Sequence, residues 1–284
     1  MIKDYFSLVK FSHTIFALPF AIIGYFLALH TEQVDFSWLL FLLVIGCMVF
    51  GRNAAMAFNR WADEAYDKAN PRTANREIPA GKVKRNAALW FIGLNSLLFV
   101  GTTYFINPLC FYLSPIVLTV LLGYSYTKRF TPYSHMVLGF GLAIAPIGAY
   151  LAVHPELKLI PLLLGAVVLT WVSGFDIIYS LQDDSFDKAN NLFSIPSVFG
   201  RKNALFISIL LHVVSAALLL FIGWKGIFGI GYWIGAIFFI ALLTYQHFLV
   251  KPNDLSKVNL AFFTTNGVAS IVFGLLVVLD LFIF

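Results

Sequence analysis

The chain of 284 residues is 60% hydrophobic and only 12% charged, with a formal net charge of +5 at pH 7. An ordinary soluble domain carries about a quarter of its residues as charges, so the composition excludes one and predicts an integral membrane protein. The surplus of Lys and Arg does not imply a nucleic-acid partner, because these residues fall in short loops between apolar runs, the pattern of membrane topology.

The opening stretch, MIKDYFSLVKFSH, is short and lacks a small-residue cleavage site behind an apolar core, so the first span is expected to be retained. Nine spans are predicted, at roughly residues 14–30, 38–58, 87–106, 108–127, 134–153, 159–180, 203–222, 227–249 and 259–283. Runs of about 18 or more uncharged residues cross ~30 Å of hydrocarbon as helix, and none alternates as a barrel strand does. Pro108 and Pro132 mark tight connections, while Pro19, Pro115 and Pro146 are expected to kink the spans that hold them. Cys47 and Cys110 lie in apolar runs without metal-ligand spacing and read as packing residues. His13 has no second histidine nearby and reads as an interfacial or packing residue rather than a ligand. The expected fold is all-α, a single domain over 1–284.

Sixteen of the 19 Lys and Arg fall at the N-terminus or in the loops after spans two, four, six and eight. That side is therefore cytoplasmic. Acidic clusters follow span two, at Asp63 and Asp67, and span six, at Asp183 and Asp187. Each residue of the second pair lies 120 positions after its counterpart in the first. The offset predicts two four-helix repeats plus a ninth helix around a central cavity, with both clusters at its cytoplasmic mouth.

On a continuous helix Arg52, Asn59, Asp63 and Asp67 fall within about 80° of one another, and Asp176, Asp183 and Asp187 within about 40°. Ionisable groups bordering a membrane span need a cavity and partners. Converging hard oxygens suit Mg²⁺, which shares its shell with water and phosphate. Arg72 and Arg76 follow the first cluster, and Lys128 and Arg129 end span four one turn after Tyr124. Guanidinium forks and an ammonium suit phosphate oxygens, although positive-inside topology also accounts for such residues. Arg52, inside span two, is expected to have an anionic partner. Glu64 and Asp184 lie off the stripes and are expected to be solvated; Asp280 is expected to anchor the last span at the surface.

The run N59-R-x-x-D63-x-x-x-D67 with R72-T73-x-x-R76 resembles the first motif of the UbiA superfamily of intramembrane prenyltransferases. D176-I-I-Y179-S-L-Q-D183-D-S-F-D187 resembles its second motif, and Y124-S-Y-T-K128-R129 a third signature. Arg60 departs from the Asp often found after the Asn. The opening K10-F-S-H13-T-x-F-A-L-P19 departs from the usual enterobacterial-type opening and is more similar to the branch described as hydroxybenzoate-like or assigned to menaquinone made by the futalosine route.

The resemblance implies transfer of a polyprenyl group from its diphosphate to an aromatic acid in quinone biosynthesis, at the cytoplasmic side of a bacterial inner membrane. The expected acceptor is 4-hydroxybenzoate, with a naphthoate as the alternative. It further implies that Mg²⁺ ions on Asn59, Asp63, Asp67, Asp183 and Asp187 bind the diphosphate, and that Arg72, Arg76, Lys128 and Arg129 neutralise it. Arg52 would hold the acceptor carboxylate, and Asp176 with Tyr179 would orient its hydroxyl or take its proton. No protein partner is implied. A secondary transporter is the reading from another class, but transporters place ionisable groups near the bilayer midplane, and here they lie at span ends.

Overall fold

The computed structural model describes residues 2–10, 14, 16–226 and 228–283, so His13 lies outside them. Among the described residues the chain is all-helical, with no β-strand. The helices are α1 Ile2–Leu8, α2 Leu18–Glu32, α3 Trp38–Ala62, α4 Glu64–Ala69, α5 Arg85–Ile106, α6 Pro108–Thr127, α7 Ser134–Val153, α8 Leu159–Ser180, α9 Asp184–Ala189, α10 Ile195–Lys225, α11 Ile230–Leu249 and α12 Asn266–Ile283. Eight of the crossings are long and apolar enough to span a membrane; α2, with 15 residues, is the shorter ninth.

Local chemistry sets several boundaries. The Ser37 hydroxyl accepts from Leu40 N to start α3, and the Asn107 side chain accepts from Cys110 N ahead of Pro108 to start α6. Each satisfies a backbone N–H that the first turn leaves open. Pro19 occupies the first turn of α2, where proline's fixed φ is favourable, so it opens the helix rather than kinking it. A capping box of Ser194 and Ser197 starts α10, eight residues before the predicted span. That helix then breaks at Gly200, whose φ of 80° is open to glycine and strained for other residues.

The repeat is visible in the helices themselves. α3 ends at Asp63 and resumes as α4; α8 passes through a 3₁₀ turn, Leu181–Asp183, and resumes as α9. α4 and α9 are both six residues long and their bounds differ by 120 positions. The clusters therefore sit on bent extensions of the spans rather than on one straight stripe. α3 packs along α5 as α8 packs along α10, and α2 and α12 close the bundle beside α7 and α11.

Trp171, Phe20, Phe239 and Phe273 form a buried aromatic core between α2, α8, α11 and α12. Trp171 Nε1 donates to Asn266 Oδ1 at 2.7 Å. Asn266 Nδ2 in turn donates to the carbonyls of Ala261 and Phe262, at 2.7 and 3.0 Å, within the π-helical turn Leu260–Thr265. That turn carries Phe262 to the Tyr179 ring, 4.1 Å between centroids. At the other surface, Trp90, Leu97 and Phe248 are each more than 70% exposed. In water such a surface promotes aggregation; against lipid tails it is the solvated face.

Asp280 is not a surface anchor. It is buried, and its two oxygens accept from Gly229 N at 2.6 Å and Gly231 N at 2.8 Å, where α11 begins with open N–H groups. Asp184 is also buried, held through both oxygens by Arg201, at 2.7 and 2.9 Å. Neither is solvated, because Asp184 finds its partner on α10 and Asp280 finds its partners where α11 begins. Glu64, by contrast, pairs with the exposed Arg85 away from the cavity.

Candidate active site

A cavity of about 680 Å³ runs between α3, α6, α7 and α8. Asn59, Asp63, Asp67, Asp176, Asp183 and Asp187 all line it, so both acidic clusters reach one chamber from the same end. Its remaining length is apolar, from Leu138 and Leu142 to Cys110 and Ala152 at the far ends of α6 and α7. Ile116 on α6 and Phe140 on α7 line the cavity and are 63% and 49% exposed.

The clusters are joined across the repeat. Arg72, in the loop after α4, grips Asp183 through a two-pronged contact, with Nε 2.9 Å from Oδ1 and Nη2 on Oδ2. Its Nη1 donates to Tyr179 Oη at 3.1 Å. Asn70 Nδ2 adds a donor to Asp183 Oδ1 at 2.9 Å. Arg76 Nη1 donates to Asp67 Oδ1 at 2.6 Å, and Lys128 Nζ to Asp63 Oδ2 at 2.5 Å. Asn59 Nδ2 is shared between Asp63 Oδ2 and Ser125 Oγ, at 3.3 and 3.4 Å. The loop is held in place by Asn70 Oδ1, which accepts from Arg72 N, and by Thr73 Oγ1, which donates to Asp67 O.

This is an electrostatically demanding arrangement. Asp63 is 2% exposed and Asp67 5%. Burial pushes the Asp63 carboxyl up, against the pull of Lys128. Asp63 Oδ1 and Asp67 Oδ2 are buried without a hydrogen-bond partner. Arg129 Nη2 comes only to 3.9 Å of Asp63 Oδ1, too far to donate. Carboxylates held like this favour a cation brought to their open oxygens.

The sequence profile of the UbiA prenyltransferase family matches residues 17–268. The chain belongs to the UbiA prenyltransferase family. Membership makes it a prenyltransferase, and its apolar helices make it an integral membrane protein. It is 30% identical over 236 residues to a 4-hydroxybenzoate octaprenyltransferase of Tolumonas auensis, covering 83% of this chain and 82% of the relative. A relative of the same name from Citrobacter koseri is 30% identical over 244 residues, covering 86% and 83%. The apo structure of a UbiA homolog from Aeropyrum pernix K1 superposes with a TM-score of 0.85 at 30% identity, covering 94% of this chain and 98% of that one. A UbiA homolog from Archaeoglobus fulgidus bound to DMAPP and Mg²⁺ shares the fold, with a TM-score of 0.79 at 15% identity, covering 99% and 100%.

Within this UbiA fold the expected site residues do not all stand alike. Arg72, Arg76, Lys128, Tyr124 and Tyr179 line the cavity. Arg129 does not: it donates to Ala62 O at 2.7 Å, at the end of α3, and packs over Tyr126. Arg52 lines the cavity, but its partners are not anions. Nη1 and Nη2 donate to the carbonyls of Val9 and Lys10, each at 2.9 Å, where the chain leaves α1. Two backbone carbonyls thus engage a charge for which the sequence suggests an anion.

Three residues of the site escape the sequence reading. Asn70 has a signal, since D-K-A-N occurs at 67–70 and again at 187–190. Arg60 looks like a topological cation, yet it is 5% exposed, lines the cavity and has no carboxylate within ion-pair reach. Its one hydrogen bond is a long contact of 3.5 Å to Asn59 Oδ1, and its Nε has no partner. His135, at the start of α7, is buried with Nδ1 2.7 Å from Asp176 Oδ2. Nothing in its spacing marks it, because the pairing arises from the packing of α7 on α8.

Proposed function

We propose that this chain transfers a polyprenyl group from a polyprenyl diphosphate to an aromatic acid, 4-hydroxybenzoate, in quinone biosynthesis. The observation that carries the reading is the meeting of carboxylates and cations at one end of a cavity whose other walls are apolar. The names of the Tolumonas and Citrobacter relatives support the acceptor. The Archaeoglobus homolog bound to DMAPP and Mg²⁺ supports the class of donor and the ion.

The donor set fits Mg²⁺. Every proposed ligand offers oxygen, and two of the oxygens, Asp63 Oδ1 and Asp67 Oδ2, are buried and unpartnered. Among the described residues no three His, Cys, Asp or Glu converge on one point. That suits Mg²⁺ better than an all-protein cage, since it takes one or two carboxylates and completes its shell with water and phosphate. Mg²⁺ ions would be held by Asn59, Asp63 and Asp67 in one repeat and by Asp183 and Asp187 in the other. Bound there, they supply Lewis-acid stabilisation of the leaving diphosphate.

The chain's own groups do the rest. Arg72, Arg76 and Lys128 offer donors to the charge that grows on the diphosphate as the allylic C–O bond breaks. Arg129 acts from outside the cavity, through the field it adds beside Asp63. The apolar walls keep water from the allylic carbon, and the exposed lining residues Ile116 and Phe140 suit passage of a long apolar tail toward lipid. Arg52 spends two donors on the carbonyls of Val9 and Lys10, leaving others for the acceptor carboxylate. Asp176 and Tyr179, one helical turn apart, orient the acceptor's hydroxyl or take its proton. The excess of Lys and Arg in the loops around this mouth supports a cytoplasmic-facing site in a bacterial inner membrane.

The test is to incubate the purified protein with Mg²⁺, a polyprenyl diphosphate and a panel of hydroxybenzoates and naphthoates, and to weigh the products. A prenylated 4-hydroxybenzoate is expected. A naphthoate product alone would change the acceptor and leave the reaction class; no product from any acid would remove the aromatic-acid reading.

A further inference from the structure

We propose that His135 is a positioning residue for proton removal, holding Asp176 as the base that receives the proton displaced from the acceptor. The inference rests on the aromatic prenyl-transfer reading above. It adds a residue on α7 that none of the three sequence motifs contains.

The geometry is specific. His135 is 3% exposed, and its Nδ1 lies 2.7 Å from Asp176 Oδ2. On the other edge of the ring, Ile195 N lies 3.4 Å from Nε2 and has only a proton to offer. Nε2 is therefore the acceptor, which places the imidazole proton on Nδ1 and makes Nδ1–H the donor to Asp176. The backbone that carries the imidazole packs closely on α8, where the Ser173 hydroxyl lies 2.7 Å from the Leu169 carbonyl and 3.1 Å from that of His135. Asp176 lines the cavity, and among the described residues the hydrogen bond to it falls on Oδ2, with none on Oδ1. One carboxylate oxygen is thus tied to a buried N–H and the other is left free. Three of the four proposed metal-site carboxylates differ, because Lys128, Arg72 and Arg76 engage Asp63, Asp183 and Asp67, whereas among the described residues no Lys or Arg engages Asp176.

Proton balance requires such a group. The allylic carbon forms a bond to an aromatic carbon as its bond to diphosphate oxygen breaks, and the diphosphate leaves with that electron pair. The ring carbon then holds a hydrogen it must lose as H⁺, the C–H pair returning to the ring. Asp176 Oδ1 takes that proton, while Nδ1–H of His135 keeps Oδ2 fixed and the carboxylate plane constant.

The test compares His135→Leu and His135→Asn in the full-length protein in nanodiscs, with steady-state kinetics on both substrates. An acceptor carrying deuterium at the alkylated carbon supplies the second readout. His135→Leu removes the donor and is expected to lower kcat about 100-fold, the lower range for a positioned acid or base, with KM for the prenyl diphosphate unchanged. The deuterium effect on kcat should rise clearly above that of the parent as proton loss becomes limiting. His135→Asn keeps an N–H donor near Nδ1 and should recover most of kcat. An unchanged kcat in His135→Leu, a deuterium effect equal to the parent's, or an Asn variant as slow as Leu overturns the inference. A parent protein that prenylates no aromatic acid overturns the underlying reading instead, before any variant is compared.

Discussion

Arg72 and Asp183 lie 111 positions apart, one after the second span and one after the sixth, and meet through two hydrogen bonds of a single guanidinium. The contact ties the two repeats together at the mouth of the cavity and points a planar fork at the place where phosphate oxygens are expected. Arg72→Lys keeps the charge and loses the fork. It is expected to reduce kcat/KM for the prenyl diphosphate about 100-fold, close to the loss in Arg72→Ala, because one ammonium cannot span both oxygens. Steady-state kinetics on the two variants decide this; a Lys variant within a factor of about three of the parent would mean that charge alone is used.

Asp63 carries the sharpest prediction for the ion. Its Oδ2 accepts from Lys128 and its Oδ1 is buried and open. Asp63→Asn retains an acceptor for Lys128 but removes the negative charge, so the fold should survive while Mg²⁺-dependent turnover falls by at least about 100-fold. Chelation should silence the parent protein in the same way, and added Mg²⁺ should restore it. Thermal unfolding in detergent, run beside the activity assay, separates the two effects. An active Asp63→Asn protein with undiminished Mg²⁺ dependence would rule out Asp63 as a ligand.

Arg60 is buried beside the cavity without an ion-pair partner; Arg76 holds the nearby Asp67, and the Ser7 hydroxyl donates to Glu77. An unpaired buried charge costs stability, and a well-packed apolar replacement often regains it. Arg60→Met is therefore expected to unfold at the same temperature or a few degrees higher, while KM for an anionic substrate rises about tenfold. The measurements are a melting curve and KM for donor and acceptor separately. A melting point lowered by more than about 5 °C would instead make Arg60 a structural cation.

What the sequence reveals of all this depends on whether a feature is written along the chain or across it. The nine apolar spans and the 120-residue offset are properties of one strand of text, and α4 and α9 reproduce the offset at both of their ends. The pairing of His135 with Asp176 is not of that kind. It follows from how α7 rotates against α8, which helical periodicity within either segment leaves undetermined. The same limit explains Asp184, which stands beside Asp183 in sequence, and Asp280, each buried against a partner on another element. It also explains Arg52, where the sequence suggests an anion and the chain supplies two carbonyls.

Gly24 offers a test of the packing that holds the cavity wall. A Cβ built there would lie 2.2 Å from the carbonyl oxygen of Pro146, so α2 crosses α7 backbone to backbone. The obstructing atoms belong to main chain and cannot swing aside as a side-chain tip does. Gly24→Ala must push the helices apart, at a cost of about 1–3 kcal/mol, and should lower the melting point and activity together, since α7 carries both His135 and part of the cavity lining. Gly101→Ala on α5 is the matched control: its Cβ would meet nothing within 4 Å, and the loss of glycine in a helix is worth up to about 1 kcal/mol in the stabilising direction. The same chemical change should thus move the two melting points in opposite directions. Equal shifts in the two variants would show that α2 and α7 have room between them, contrary to the close approach described here.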